Sequence, residues 1–113
     1  MWIAMSDSFL SITEKYCKPD ELMVRARMAG HIENVFPNAK VKCDKRYDYW
    51  YTAVLPRDEV AAVIAKRVME IKPGSIKDAV KDPHLKEAYY TVWSTMEELQ
   101  ELQESSTSFA AMR

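Results

Sequence analysis

At 113 residues, with 48% apolar and 29% charged residues, the chain has the make-up of one globular domain and not of a disordered segment. Two glycines leave little material for a phosphate-cradling loop, and a net charge of −1 supplies no overall attraction to nucleic acid or an anionic membrane. No apolar run reaches the roughly 20 residues of a membrane span, and the opening MWIAMSDSFLSI lacks the basic and long apolar parts of a secretory leader.

The first half reads as strands. MWIAM and FLSITEKY are short apolar and β-branched segments, separated by Ser6–Ser8, whose side chains favour a turn. After a second turn at Lys18–Glu21 comes LMVRAR, in which Leu22, Val24 and Ala26 alternate with Met23, Arg25 and Arg27. That alternation predicts a strand with one apolar face and two arginines on the other, and the three segments predict an antiparallel meander. Gly30 breaks the strand. Ile32, Val35 and Phe36 then fall at helical spacing before Pro37, which predicts one or two helical turns.

KVKCD and YDYWYTAVL flank a polar turn at Lys45–Arg46 and predict a hairpin, with Tyr47, Tyr49, Tyr51, Ala53 and Leu55 on one face of its second, central strand. From Pro56 the pattern is helical. Asp58 and Glu59 suit the positive start of a helix whose stripe is Val60, Val63, Ile64, Val68 and Ile71, and Lys66, Arg67 and Lys72 suit its end before Pro73–Gly74. Ser75 with Asp78 resembles a capping box for a short helix. Asp82 caps the last helix, with Pro83 at its first position. Leu85, Ala88, Tyr89, Val92, Met96, Leu99 and Leu102 recur there at three and four residues. Trp93, with Val92, Tyr89 and Met96, is expected to be buried between this helix and the sheet. Residues 1–103 are expected to form a single α+β domain, a four- or five-stranded mainly antiparallel sheet with the C-terminal helices on one face, and 104–113 a flexible tail.

The inventory for chemistry is thin. His31 and His84 have no second His or Cys at i+3 or i+4, so no metal is expected and both are read as surface or capping residues. Cys17 and Cys43 form no CxxC pair and are read as reduced thiols of a cytoplasmic protein. No nucleophile elbow appears, and the acid pairs Asp20–Glu21 and Asp58–Glu59 sit at turns or helix starts. No catalytic residue and no cofactor are expected.

Three clusters remain as binding candidates. Glu97, Glu98, Glu101 and Glu104 crowd the end of the last helix, within a segment, residues 73–113, of net charge −3 against +2 for the rest. This is either a solvated face or a surface for a basic partner. Lys45 and Arg46 mark the hairpin turn. With Lys40, Lys42 and the tyrosines they form an aromatic and basic set of the kind that stacks single-stranded nucleic acid, although a packed sheet face explains the tyrosines better. Arg25, Arg27 and Arg57 could pair with Asp48, Asp58 or Asp78, and Arg25 and Arg27 are expected to pair mainly with carboxylates or carbonyls of the helical half, the alternative being a bound anion.

FLSI, LMVRAR followed by IE, YWYTAVLPR, IKDAV and AYYTVW, in this order, resemble the signature of a family of small uncharacterised bacterial and phage proteins: F-x-S-I, V-R-A-R, Y-x-A-x-x-P-R, F-K-D-x-V and Y-x-x-V-W. The resemblance runs from Met1 to about Gln100 and departs at Ile76, where the family carries an aromatic residue. It groups Arg25, Arg27 and Arg57 with Tyr89 and Trp93 as signature positions. It implies no activity. Its phage members suggest an inhibitor of a host defence complex, anti-CRISPR-like in kind. The sequence is therefore read as a non-catalytic module that binds another protein. Binding of nucleic acid through the Lys40–Arg46 hairpin and the tyrosine face is the alternative, no membrane partner is expected, and a homodimer through the last helix is compatible with either.

Overall fold

A computed structural model describes residues 1–105. They contain β1 (Trp2–Ala4), β2 (Phe9–Thr13), β3 (Glu21–Ala26), α1 (His31–Val35), β4 (Lys42–Cys43), β5 (Tyr51–Pro56), α2 (Arg57–Met69), α3 (Ile76–Ala79) and α4 (Pro83–Ser105). The class is α+β. One open five-stranded sheet has the order β1-β2-β3-β5-β4, and every neighbouring pair is antiparallel. The chain divides into two compact units, Met1–Gly74 and the segment from Ser75 onward.

In the first unit the sheet has two unlike faces. Leu10, Ile12, Val24, Ala26, Ala53 and Leu55 alternate along their strands and share a core with Ile32, Val35 and Phe36 of the α1 region and Val60 of α2. The register makes this one surface, since Leu10 lies opposite Ala26, and Ile12 opposite Val24, which lies opposite Ala53. The other face carries Ser11, Arg25, Thr52 and Lys42, cross-strand neighbours in one row. Gly30 turns the chain from β3 into α1 at φ +87°, a left-handed conformation that a residue with a Cβ adopts only under strain.

His31 does not lie on the surface as its place at a helix start suggested. It is buried, and its Nδ1 accepts the Phe9 N–H at 3.0 Å. Ring burial is tolerated because this bond satisfies one nitrogen, and it puts the ring proton on Nε2. The α2 stripe is also shorter than the sequence implied. Val60 is buried and Val63 and Ile64 are partly so, whereas Val68 and Ile71 are exposed, the helix having ended at Met69.

A network links elements far apart in sequence. Arg67 of α2 donates to both Asp7 carboxylate oxygens, at 2.9 and 3.2 Å, and to the Asn34 carbonyl at 2.6 Å, while the Asn34 amide donates to the Asp7 carbonyl at 2.8 Å. Burial acts to raise the Asp7 pKa, but the hydrogen bonds and charge of Arg67 and the Ser8 hydroxyl outweigh it and hold the carboxyl below its usual range. Arg57 is tied to the Glu14 carboxylate and donates from Nε to the Pro19 carbonyl at 2.9 Å.

In the second unit, Ser75 caps α3 by accepting the Lys77 N–H at 3.3 Å, and Asp82 caps α4 by accepting the His84 N–H at 2.9 Å. Val80, Leu85 and Tyr89 are buried. The expected burial of Trp93 with Val92 and Met96 does not hold, because Trp93 is 49% exposed and Val92 and Met96 are each 56% exposed. The helix keeps its apolar period, but cover over the stripe stops after Tyr89. α4 runs to Ser105, so the tail expected from residue 104 begins inside the helix, and residues 106–113 lie outside the described residues.

Candidate functional site

The hairpin between β4 and β5 departs most from what its sequence suggested. A polar turn at Lys45–Arg46 was expected between long strands. Pairing instead ends at Cys43 opposite Tyr51, and residues 44–50 form a loop. Asp44 is the cause. Its carboxylate accepts the Arg46 N–H at 3.0 Å, its carbonyl accepts the Tyr47 N–H at 3.3 Å, and its own N–H donates to the Trp50 carbonyl at 2.8 Å. A side chain that satisfies the backbone two residues on is the physical alternative to a strand ladder.

The loop is braced at three points. Arg46 grips Asp44 with Nε at 3.0 Å and Nη2 at 2.7 Å. Arg27 of the chain leaving β3 donates to the Asp48 carboxylate at 3.0 Å and to the Asp48 carbonyl at 3.1 Å. Tyr49 is 6% exposed, with the guanidinium carbons of Arg25 and Arg27 at 4.5 and 4.1 Å from its ring centre. Each cation–π contact of this kind contributes about 0.5–2 kcal/mol, according to how far it is desolvated. Arg46 lowers the pKa of Asp44, and Arg27 lowers that of Asp48, so both loop carboxylates are firmly ionised. The hydrogen bond that Arg27 donates to Asp48 in turn raises the pKa of Arg27.

Arg25 and Arg27 therefore do not pair with the helical half. Arg25 donates to Ser11 Oγ at 2.6 Å across the sheet and lies by the Tyr49 ring, while Arg27 holds Asp48. Arg25 Nε is buried without a hydrogen-bond partner, and the ring face of Tyr49 is what its guanidinium has in exchange. The antiparallel register explains the change. It points both arginines away from the face that α1 and α2 cover, toward the face over which the 44–50 loop returns. Arg57 sits apart, with Glu14 and Pro19, so the three arginines form no common cluster.

Nor do the tyrosines make one face. Tyr51 packs against the core, Tyr49 is enclosed beside the arginines, and Tyr47 is 66% exposed. Trp50 is 42% exposed, with Lys45 Nζ at 5.0 Å from its ring centre. Between Tyr47, Trp50, Lys42 and Thr52 lies a shallow cleft of about 430 Å³, with Asp44 and the free thiol of Cys43 at its wall. Its lining offers no histidine and no pair of carboxylates for proton transfer. Cys17, the other free thiol, is pushed up in pKa by burial and by Glu21 and Glu14, the opposite of thiolate activation. Among the described residues no three His, Cys, Asp or Glu side chains come together as a metal site, and no helix is long and apolar enough to cross a membrane.

Glu97, Glu98, Glu101 and Glu104 are all exposed on α4, in the second unit, whereas Lys45 and Arg46 belong to the first. Sequence reasoning found the two hairpin cations and named Asp48 among the possible partners of the arginines, but missed the bracing role of Asp44. The signal for Asp44 was legible, since an Asp followed two residues later by a donor is an Asx-turn pattern. Arg27, the partner of Asp48, lies 21 residues away, and no local pattern selects this pairing over Asp58 or Asp78. Comparison of the chain with family models, with curated proteins and with solved structures finds no match, so the family resemblance rests on the sequence motifs alone.

Proposed function

We propose that this protein is a non-catalytic module that binds another protein through the braced 44–50 loop. The observation that carries the reading is the pairing of exposed Tyr47 and Trp50 with an internally neutralised, pre-shaped loop. Tyr, Trp and Arg are the residues that dominate protein interfaces, and a loop held in place before contact loses little freedom on binding. The one carboxylate in the cleft lining, Asp44, is already held by Arg46, which favours the non-catalytic side of the reading. Two free thiols support a reducing, cytoplasmic setting. The resemblance to phage proteins would place such a partner in a host defence complex.

Single-stranded nucleic acid is the second reading, favoured by Lys42 and Lys45 beside the exposed aromatics. Charge favours the first reading. Residues 44–50 carry Asp44 and Asp48 against Lys45 and Arg46, and Arg27 and Arg46 are already held by those carboxylates. A backbone of phosphates would meet little free positive charge. The test compares the protein with a Tyr47→Ala/Trp50→Ala variant as baits for host proteins. Capture of a specific protein that the variant loses, with an unchanged melting temperature, is expected. Binding of a single-stranded oligonucleotide that weakens steeply with salt and fails in the same variant would transfer the loop to the second reading.

A further inference from the structure

We infer that α4 pairs with α4 of a second copy of this chain, antiparallel, along the stripe of Val92, Met96 and Leu99. These residues are 56%, 56% and 53% exposed, with Trp93 beside them at 49%. Their spacing of four and three residues continues that of Leu85 and Tyr89 and is the seam spacing of paired helices. Isolated exposed leucines are ordinary, but a row of large apolar side chains on one helical face marks an interaction surface.

The distribution of charge selects the occupant. At about 3.6 residues per turn, Trp93, Thr95 and Gln100 border the stripe, and none carries charge. Glu97, Glu98, Glu101 and Glu104 all fall on the opposite side of the helix. A basic partner would be drawn to that far side and not to the stripe. An apolar seam with uncharged borders is complementary to itself, because a second copy brings no charge that the first must neutralise.

The sense of pairing follows from the same residues. A parallel pair would gather the four glutamates of both copies at one end. An antiparallel pair sets the glutamates of each copy opposite residues 88–95 of the other, a stretch without charged residues, and keeps the two acidic ends apart. Met96 is the middle residue of the Val92–Met96–Leu99 stripe, which places Met96 of each copy at the crossing point.

The test is the concentration dependence of mass for the full chain by sedimentation equilibrium. The expected result is a reversible species of twice the 13.1 kDa monomer mass. Met96→Glu should weaken self-association by roughly 100-fold, and Glu101→Lys on the far side by less than about threefold. Circular dichroism checks that both variants stay folded. In a Cys17→Ser/Cys43→Ser background, Met96→Cys should form a disulfide-linked dimer on mild oxidation and Leu99→Cys should not. Equal cross-linking at both positions overturns the antiparallel assignment. A monomer at every concentration up to about 100 µM overturns the pairing, whether the stripe is then found covered by the chain itself or by another protein. Neither result bears on capture through Tyr47 and Trp50, so the loop reading stands or falls separately.

Discussion

The sheet and α4 carry equally regular apolar patterns, and they use them differently. Along β3 the alternation of Leu22, Val24 and Ala26 ends in burial, with Val24 and Ala26 wholly enclosed under α1 and α2. Along α4 the helical stripe begins with buried Leu85 and Tyr89 and continues into Val92, Met96 and Leu99, which are about half exposed. Periodicity fixes which side of an element is apolar, through geometry alone. What covers that side is a separate matter, decided by the rest of the chain or by another molecule.

The largest effect that tests this contrast is a leucine truncation on each side of it. Leu10→Ala should cost about 2–5 kcal/mol in urea unfolding, because a wholly buried side chain leaves a cavity. Leu99→Ala, at 53% exposure, should cost less than about 1 kcal/mol in dilute solution. Similar losses at the two positions would dissolve the distinction and put the α4 stripe inside a folded core.

Arg25→Met sharpens the comparison within the sheet, between its covered and its arginine-bearing faces. The change leaves the buried Ser11 hydroxyl without its donor and removes one of two guanidiniums from Tyr49. A loss of about 1–3 kcal/mol is expected, together with faster amide exchange in residues 44–50. Full stability with a loosened loop would make Arg25 a device for the loop alone.

How much of this was legible depends on the range of the interaction. The meander, the break at Gly30 and the caps Ser75 and Asp82 follow from spacings of a few residues, and the structure bears them out. The β4–β5 loop was misread because alternation in Tyr47–Leu55 continues across residues that Asp44 folds out of the sheet. The partners of Arg25 and Arg67 were not legible, since register, not local sequence, brings Arg25 to Ser11 and Arg67 to Asp7 across 60 residues. Arg67 looked like a helix-end charge and Asp7 like a turn residue. Both descriptions are true, and neither names the contact.

That pair gives the next effect in size. The Asp7 carboxyl titrates lower in the folded protein than in the unfolded chain, where about 3.9 is usual. Its stabilisation is therefore complete above the unfolded value and is lost as pH falls through the folded one. Asp7 and Arg67 are partly open to solvent, which limits the contribution to about 1 kcal/mol or less. Stability should fall as the solution is taken below pH ~4, and the fall should be shallower in Arg67→Met. An identical acid profile in the variant would show that other carboxylates govern it.

The smallest expected effect concerns Trp93. Burial under the sheet would make Trp93→Ala cost about 3–5 kcal/mol. The structure instead leaves the ring half exposed, with Lys77 Nζ at 4.3 Å from its centre. An exposed cation–π contact contributes about 0.5–1 kcal/mol, so truncation should cost about that in dilute protein. The same contact holds α3 against α4, so Lys77→Met should show a loss of similar size and the double variant little more. At high protein concentration the two variants should part company. Trp93 borders the Val92–Met96–Leu99 stripe and Lys77 does not, so only Trp93→Ala should weaken self-association. A cost of several kcal/mol in dilute solution would return Trp93 to a buried core and erase the difference between the two regions.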